Sequence, residues 1–433
     1  MPQKVVVVHS GARDAYQVAR ALAESGRLDS LVTDLFWHAG SGMARRVEQA
    51  LPEPLRRQLR ARSEPAIPAR SVRLCAMAGL ITLLVDKSKR APAAWKRATA
   101  RWTDRKLGET AGRLATTRGA ALLSYSYYGH SAFTHFASSR PGMLFQLHPH
   151  PASMRKILRA ELEKHPDCAL SLLQEWELAV PEADFERLVA EPGMAGAWLA
   201  ASAFTKSTLI ENGIPAERIQ VVPYGVNLER YRPAPRPRSM DGALKLLFVG
   251  RINQRKGVKY LLEMLRRLPR KHVELTICGR VLDDLKIFEP FRSQVTIRPS
   301  VSPAELVEAY QTSDLFVFPS VAEGFAHVLL ESLACGLPVL STTATAAPDL
   351  VTEGIDGFVV EPGSADPLVE RLEWALSHRS ELQGMKEMAR RKAERFTWER
   401  FRRGVVDFVS RYSDAQETDM AANENEREFE TAR

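Results

Sequence analysis

Two glutamates, Glu323 and Glu331, lie in a segment that reads DLFVFPSVAEGFAHVLLE over residues 314–331. Its apolar start predicts a strand, and the polar turn that follows predicts a loop. The apolar spacing in its second half predicts a helix. The backbone N–H groups after Gly324 would then lie at a helix N-terminus, which favours an anion such as phosphate. Carboxylates repel phosphate, so both glutamates are better suited to accept hydrogen bonds from the hydroxyl groups of a ribose or a sugar.

A second loop supplies positive charge. The stretch LKLLFVGRINQRKGVKYLLEMLRRLP predicts a strand that ends at Gly250, a basic loop with Arg251, Arg255 and Lys256, and an amphipathic helix. Cations in such a loop are suited to neutralising a diphosphate. The spacing is not that of a Walker phosphate loop, because Lys256 precedes its glycine and no Ser or Thr follows in place. A solvated turn is the alternative interpretation.

Two further loops of the first half of the chain contain candidate residues. The stretch PGMLFQLHPHP predicts a strand that ends near His148 and His150, so that one of the two histidines points into a crevice and the other does not. Gly11 follows a run of four valines and marks a tight turn before a predicted helix. It is either a turn residue alone or a ligand contact, and the dinucleotide pattern G-x-G-x-x-G is absent.

The chain of 433 residues exceeds what one hydrophobic core usually supports, so we expect two domains. Strands alternate with helices in both halves, which predicts an α/β fold with parallel, doubly wound sheets. Residues 232–242 are rich in proline and charge and read as a linker between a first domain, 1–231, and a second, 243–396. The acidic end, 413–433, is expected to be disordered.

Cysteine usage and the N-terminus point to an intracellular protein. The chain has 4 cysteines, none in a C-x-x-C pair, which suggests neither a zinc cluster nor a disulfide framework. The N-terminal run of four valines is too short for a signal-peptide core or a membrane span. We expect a cytoplasmic location.

Residues 39–117 interrupt the alternation and are predicted to be a mostly helical, basic insertion. Between Arg45 and Arg118 there are 18 lysines and arginines and 6 acidic residues. The apolar run from Leu74 to Val85 is twelve residues long, which suits a buried helix or an interfacial one. Basic flanks and two tryptophans favour attraction to an anionic membrane surface. A solvated basic face is the alternative, and nucleic acid is not expected because no recognised binding module accompanies the charge.

The order of these motifs resembles that of the retaining glycosyltransferases of family 4, which have the GT-B fold. The stretches that carry the resemblance are GRINQRKG, PSVAEGFAHVLLESLACGLPVLST and EGIDGFVVEPG, with VVPYGVNLERYRP before the linker and FTWERF near the C-terminus. The resemblance is strong over 197–401 and weak over 39–117. It implies two Rossmann-like domains that face a central cleft, with a C-terminal helix at 397–412 that returns to the first domain.

The resemblance also implies roles for the donor-site residues. Glu331 would hold the ribose hydroxyls of a nucleotide-sugar, and Glu323 the hydroxyls of the transferred sugar. Arg251 and Lys256 would bind the diphosphate and stabilise it as the leaving group. The backbone N–H groups of Phe325, Ala326 and His327 would donate hydrogen bonds to the same diphosphate.

Other positions carry over more loosely. Gly11 resembles the glycine that lets the first loop approach the donor, and Gly250 and Gly324 belong to the two donor-site loops. His148 matches the family's active-site histidine better than His150 does. The chain departs from the family pattern where alanine replaces glycine after E-G-F, and where TATAAPD replaces a loop usually rich in glycine. Both departures concern the sugar, whose identity they leave open.

The implied reaction transfers a hexosyl group with retention of configuration and without a metal or other cofactor. Cations at the leaving diphosphate lower the barrier most directly, and the sequence contains no D-x-D triplet that would indicate a metal site. Front-face attack, with the leaving phosphate taking the acceptor's proton, is the expected route, and Glu323 as a covalent nucleophile is the minor alternative.

The expected partners are a UDP-, GDP- or ADP-linked sugar and a cell-surface or lipid-linked glycan acceptor. An anionic membrane surface is a further possible partner, which would make the protein peripheral on the cytoplasmic face. Two other classes stay open: a non-catalytic nucleotide-sugar binder of the same fold, and a membrane adaptor built on the basic insertion.

Overall fold

The computed structural model describes residues 2–38, 46, 48–88, 90–137, 139–235, 242–282 and 284–413. Most of the predicted linker, at 236–241, and nearly all of the predicted acidic tail, at 414–433, lie outside the described residues. The start of the predicted insertion, at 39–45, also lies outside them.

The first domain is built on a parallel sheet of seven strands. The strands are β1 (Val5–Val8), β2 (Leu28–Thr33), β3 (Val72–Leu74), β4 (Ala121–Tyr125), β5 (Gly142–Gln146), β6 (Ala197–Ala200) and β7 (Ile219–Val221). Their order in the sheet is β3-β2-β1-β4-β5-β6-β7, which places the valine run of β1 between β2 and β4. All four of its valines are fully buried, as expected of a strand covered by helices on both faces.

Helices connect these strands and cover the sheet. They are α1 (Gln17–Glu24), α2 (Glu53–Arg60), α3 (Ala76–Lys87), α4 (Ala93–Arg118), α5 (Gly129–Thr134), α6 (Pro151–Lys164), α7 (Ala169–Leu172), α8 (Trp176–Ala179), α9 (Glu182–Ala190) and α10 (Ala203–Glu211).

The second domain repeats the architecture with six parallel strands. They are β8 (Leu244–Val249), β9 (Val273–Cys278), β10 (Val295–Arg298), β11 (Leu315–Phe318), β12 (Val339–Thr342) and β13 (Gly357–Val360), in the order β10-β9-β8-β11-β12-β13. The helices of this domain are α11 (Val258–Arg267), α12 (Pro303–Thr312), α13 (His327–Ala334), α14 (Ala347–Leu350), α15 (Asp366–Ser377) and α16 (Arg379–Ala393). The prediction of two doubly wound parallel sheets is confirmed.

The segment 39–117 contains more than the predicted helices. Strand β3 belongs to it and pairs with β2 at the edge of the first sheet, and helix α4 packs against β1 and β4. Part of the segment is therefore a regular strand and crossover helix of the domain, which the sequence analysis did not predict. Leu74 lies in β3, and α3 buries only Ala78 and Gly79, so the buried-helix alternative for the apolar run is wrong.

A last helix, α17, spans residues 398–413 and packs on the first domain. The ring of Phe401 lies 5.2 Å from that of Tyr224 and 6.2 Å from that of Phe145, a residue of β5. Arg402 donates from Nη1 to the side-chain oxygen of Gln17 at 2.7 Å. Helix α17 thus ties the second domain to the first. Among the described helices, none is both long and apolar enough to cross a membrane.

Candidate active site

The basic loop after β8 is held in a fixed shape by one side chain and one glycine. Asn253 accepts a hydrogen bond from the backbone N–H of Lys256 at 3.2 Å, which closes a turn of 3-10 helix over Gln254–Lys256. Gly257 follows with φ +77°, and a Cβ there would lie 2.0 Å from the carbonyl oxygen of Pro319. Only glycine allows this approach, which places the basic loop against the end of β11.

Glu323 lies where this basic loop meets the loop after β11. Its Oε2 accepts a hydrogen bond from Arg255 Nη1 at 2.8 Å and forms an ion pair with Lys256. All three side chains are at most about one-sixth exposed, and the Lys256 ammonium also lies 5.0 Å from the ring centre of Phe318. Arg255 and Lys256 therefore converge on Glu323 in a largely dry site, where charge interactions are stronger than in water.

The backbone after Glu323 forms the start of α13. Ala326, the residue before the helix, has φ +64°, a left-handed conformation that costs an alanine about 1–2 kcal/mol and a glycine little. The helix begins at His327, so the N–H groups of its first residues have no acceptor within the helix, while that of Leu329 donates to the carbonyl oxygen of Ala326 at 3.0 Å. The rings of Phe325 and His327 lie 5.0 and 4.6 Å from that of Tyr224 in the first domain.

Glu331 lies one turn into α13, away from the cations. The hydroxyl of Tyr310 donates to its Oε2 at 3.0 Å, and Tyr231 forms a second hydrogen bond with the carboxylate. Burial raises the pKa of Glu331 against the opposing effect of these two hydrogen bonds. Glu323 and Glu331 thus have different surroundings, one cationic and one phenolic.

His148 faces the loop of Glu323 from the first domain. A Cβ on Gly324 would lie 2.0 Å from the carbonyl oxygen of Leu147 and 3.0 Å from the Cα of His148, so glycine at 324 lets the two loops touch. Burial, followed by the charges of Arg13, Arg255 and Lys256, lowers the pKa of His148 to about 3. Its imidazole is therefore neutral at physiological pH.

His150 has a structural role. It is buried, its backbone N–H donates to Thr208 Oγ1 at 2.9 Å, and its Nδ1 accepts from the backbone N–H of Ala152 at the start of α6. Of the two histidines, His148 is the one beside the loop of Glu323, and His150 caps a helix.

The loop between β1 and α1 carries Gly11. This glycine has φ +67°, its N–H donates to Asp34 Oδ1 at 2.8 Å, and a Cβ there would meet open space. The next turn is strained, because Asp14, Ala15 and Tyr16 also have positive φ. Burial raises the pKa of Asp14 to about 7, with the hydroxyl of Tyr125 donating to its carboxylate at 2.7 Å.

Arg255 and Glu175 were not among the residues to which the sequence assigned a role of their own at the donor. Arg255 was predicted only as one of the cations of the basic loop. Glu175 comes from the first domain, where its Oε2 lies 3.0 Å from Arg255 Nε and its Oε1 accepts from Asn253 Nδ2 at 2.6 Å. No local pattern marks it, because its partners are nearly eighty positions away. Arg251, in contrast, is exposed next to Gly250 at the end of β8.

Two other contacts join the domains near the site. Ser202 Oγ donates to the carbonyl oxygen of Gly324 at 2.5 Å, and the N–H of Ala203 donates to Asp349 Oδ2 at 2.9 Å. The described part of the chain contains no group of three or more His, Cys, Asp and Glu placed to hold a metal ion. That the reaction needs no metal stays a prediction.

Comparison with solved structures identifies the architecture. The sucrose-phosphate synthase of Thermosynechococcus elongatus superposes with a TM-score of 0.64 at 16% identity, over 95% of this chain and 100% of the other. The Anabaena protein HepE, in complex with UDP-glucose, superposes with a TM-score of 0.55 at 16% identity, over 94% and 99%. The chain has the GT-B fold.

Sequence comparison addresses the second domain of this GT-B chain. Residues 235–392, which include most of the second domain, match the family model of glycosyl transferases group 1. A D-inositol 3-phosphate glycosyltransferase of Rhodococcus erythropolis is 30% identical over 215 residues, which cover 45% of this chain and 49% of the relative. The chain spans about half the length of the curated relatives it matches.

Proposed function

We propose that the protein is a glycosyltransferase that moves a hexosyl group from a nucleotide-sugar to a glycan acceptor. The convergence of Arg255 and Lys256 on Glu323 is the observation that carries this proposal. Two buried cations beside the N–H groups of a helix start suit a diphosphate, and a neighbouring carboxylate suits sugar hydroxyls. A GT-B neighbour in complex with UDP-glucose agrees with a nucleotide-sugar as the donor.

In the proposed complex, each charged group has its own role. Arg255 and Lys256 hold the diphosphate, and the more exposed Arg251 approaches it from the rim. When the anomeric bond breaks, negative charge grows on this diphosphate, so the cations act more strongly on the transition state than on the bound donor. Glu323 exchanges part of its ion pairing for hydrogen bonds to the transferred sugar.

The acceptor side of the reaction follows from the position of His148. A neutral imidazole can both accept and donate a hydrogen bond, so His148 is suited to orienting a sugar hydroxyl rather than to repelling or attracting charge. We propose retention of configuration by front-face attack, with the leaving phosphate taking the proton and no metal taking part. Glu331, paired with Tyr310 and Tyr231, would accept from the ribose.

A screen of nucleotide-sugars tests the donor assignment. Ligands that bind the folded protein raise its melting temperature, so UDP-, GDP- and ADP-linked sugars should separate by base and by sugar. One of them should raise the Tm of the wild-type protein, and Lys256→Ala should abolish that shift. An exposed lysine of the same domain, Lys286, gives the matched control Lys286→Ala, which should keep it. Equal shifts in all three proteins would contradict the proposed site.

We further propose that the protein acts as a peripheral protein on an anionic membrane surface on the cytoplasmic side, where it extends a lipid-linked or cell-surface glycan. Helix α3 carries large apolar side chains that face solvent: Met77 is 73% and Leu84 70% exposed, and Trp95 at the start of α4 is 66% exposed. Leu74, Leu80 and Ile81 belong to the same exposed set. A solvated basic face would not display so much apolar surface.

Cations surround this apolar surface. Arg70, Arg73, Lys87 and Arg90 are exposed just before and just after α3. Apolar side chains that enter the interface of a bilayer, together with basic residues at the level of its headgroups, are what binds a peripheral helix to anionic lipid. An enzyme held in this way would meet a lipid-linked acceptor at the surface where that acceptor is confined.

A further inference from the structure

A cavity lies in the first domain, apart from the donor-site residues. It has a volume of about 290 Å³ and opens between α4, α5 and α9, with Trp176 and Tyr127 forming part of its wall. None of the donor-site residues of the second domain lines it. The charged and aromatic side chains that line it indicate what kind of molecule would fit.

The cavity contains three arginines around one aspartate. Arg101 Nε lies 2.7 Å from Asp184 Oδ2, and Arg105 Nη1 and Arg187 Nη1 lie 3.3 and 3.6 Å from Asp184 Oδ1. One carboxylate cannot neutralise three guanidinium groups. Arg105 and Arg187 are each about half exposed, so both can turn toward a ligand without leaving a buried charge behind.

The other two carboxyl groups of the cavity do not cancel this excess. Glu191 is buried and accepts hydrogen bonds from the backbone N–H groups of Tyr127 and His130, at 2.8 and 3.0 Å. Burial raises the pKa of Glu191 to about 7, and burial likewise raises the pKa of Asp104 to about 7. Near neutral pH both groups are partly protonated, and the cavity keeps a net positive charge.

Aromatic side chains form the wall beside the arginines. The rings of Trp176 and Tyr127 stand edge to face with centres 6.1 Å apart. The indole Nε1 of Trp176 is buried and has no acceptor within the described part of the chain. Such a wall offers apolar surface to the C–H face of a sugar, and the indole N–H is a donor for one of its oxygens.

One layer of side chains separates this cavity from His148 and the donor loop. The ring of Tyr127 lies 5.6 Å from that of His148, and its hydroxyl donates to Glu177 at 3.3 Å. Glu175, which contacts Arg255 in the donor loop, immediately precedes Trp176. The segment 175–177 thus touches the donor loop, the cavity and Tyr127 with successive residues.

We propose that this cavity binds the acceptor, and that the acceptor is a sugar or sugar chain with an anionic group, phosphate or carboxylate, held by Arg105 and Arg187. The proposal rests on the proposed glycosyl transfer and adds to it the charge of the acceptor. A neutral acceptor would leave the excess positive charge of the guanidinium groups around Asp184 uncompensated.

The test is a calorimetric titration of the full chain saturated with the nucleoside diphosphate that binds it best, so that the donor cations are already occupied. Glucose 1-phosphate, glucuronate and neutral glucose serve as probes, and the first two distinguish phosphate from carboxylate. The variants are Arg105→Gln and Arg187→Gln, singly and together. Arg113→Gln, on the exposed side of α4 with its own partner Glu109, is the control.

At least one anionic probe should bind wild type about tenfold or more tightly than glucose does, as expected of charge-assisted hydrogen bonds. The double variant should lose this preference and keep its affinity for the nucleotide, and Arg113→Gln should keep both. Equal affinities for the three probes, or a preference that survives in the double variant, would overturn the proposal. Failure of every nucleotide to bind wild type would instead contradict the donor site, and the same titrations without nucleotide would still decide about the cavity.

Discussion

Glu175 Oε2 of the first domain lies 3.0 Å from Arg255 Nε of the second, and the same arginine holds Glu323 through its Nη1 at 2.8 Å. One guanidinium group therefore joins the two domains and also orders the carboxylate next to Lys256. Domain contact and the arrangement of the donor site are coupled through this side chain.

The first prediction concerns this coupling. Glu175→Gln keeps a hydrogen-bond acceptor for Asn253 but removes a negative charge that neutralises Arg255. We expect a diphosphate to bind the variant several-fold more tightly, since each ~1.4 kcal/mol of electrostatic gain is tenfold in affinity. Calorimetry with the nucleoside diphosphate measures it. Glu186→Gln, an equal charge change at an exposed position of α9, should have no effect, and weaker binding by Glu175→Gln would show that the domain contact matters more than the charge.

The second prediction is a pH dependence of stability due to Asp14. Its folded-state pKa is raised to about 7 by burial, whereas the unfolded chain has the usual low value. Between these values the native state binds the additional proton, so the free energy of unfolding falls as pH rises and the loss is complete above about pH 7. Asp14→Asn removes this loss. The free energy of unfolding of the variant minus that of wild type, measured by urea denaturation, should therefore rise by on the order of 3 kcal/mol between about pH 5 and pH 8. A difference between the two proteins that stays constant with pH would refute the raised pKa.

The third prediction separates a steric from a conformational role of glycine. Gly257 and Gly354 have similar positive φ, +77° and +72°, but a Cβ on Gly257 would overlap the carbonyl oxygen of Pro319, and one on Gly354 would meet open space. Gly354→Ala should cost about 1 kcal/mol of unfolding free energy, the conformational term alone. Gly257→Ala should cost several kcal/mol, or force the basic loop away from β11 and so weaken nucleotide binding. Equal, small losses would mean that the two loops need not touch.

The fourth prediction tests the apolar surface of α3. The double substitution Met77→Gln and Leu84→Gln removes two exposed side chains and should not affect folding. Flotation with vesicles rich in phosphatidylglycerol should recover wild type, and the variant should partition roughly tenfold less, from the lost apolar transfer energy. Leu285→Gln with Ile355→Gln, two exposed apolar residues of the second domain, is the matched control. Wild type that floats with neither anionic nor neutral vesicles would refute membrane attachment.

Short apolar runs made most of the sheet predictable from sequence. Strands β1, β4 and β5 of the first domain, and β11 and β12 of the second, are short runs of mostly apolar residues that are almost entirely buried. Strand β10 was predictable from its alternation of apolar and polar residues, although none of its residues is buried. The second strand was missed because Asp29 and Ser30 interrupt its apolar pattern, and both have partners in Arg118. The third was missed because it is a three-residue edge strand with one buried position.

The residues of the candidate site also divide into those that the sequence made predictable and those that it did not. Glu323, Glu331 and Lys256 were predictable because they stand within their own motifs. Glu175 was not, because its role exists only after two domains meet. The left-handed backbone of Ala326, with φ +64°, was not predicted, since alanine rarely adopts it.

The release of nucleoside diphosphate from the nucleotide-sugar that binds is the most direct test of the account. Wild type should release it, and Lys256→Ala should do so at least about a hundredfold more slowly, the usual effect of removing one group that stabilises developing charge. Lys286→Ala should be unchanged. Release by Lys256→Ala at the wild-type rate would contradict the assignment of Arg255, Lys256 and Glu323 to the donor diphosphate and sugar.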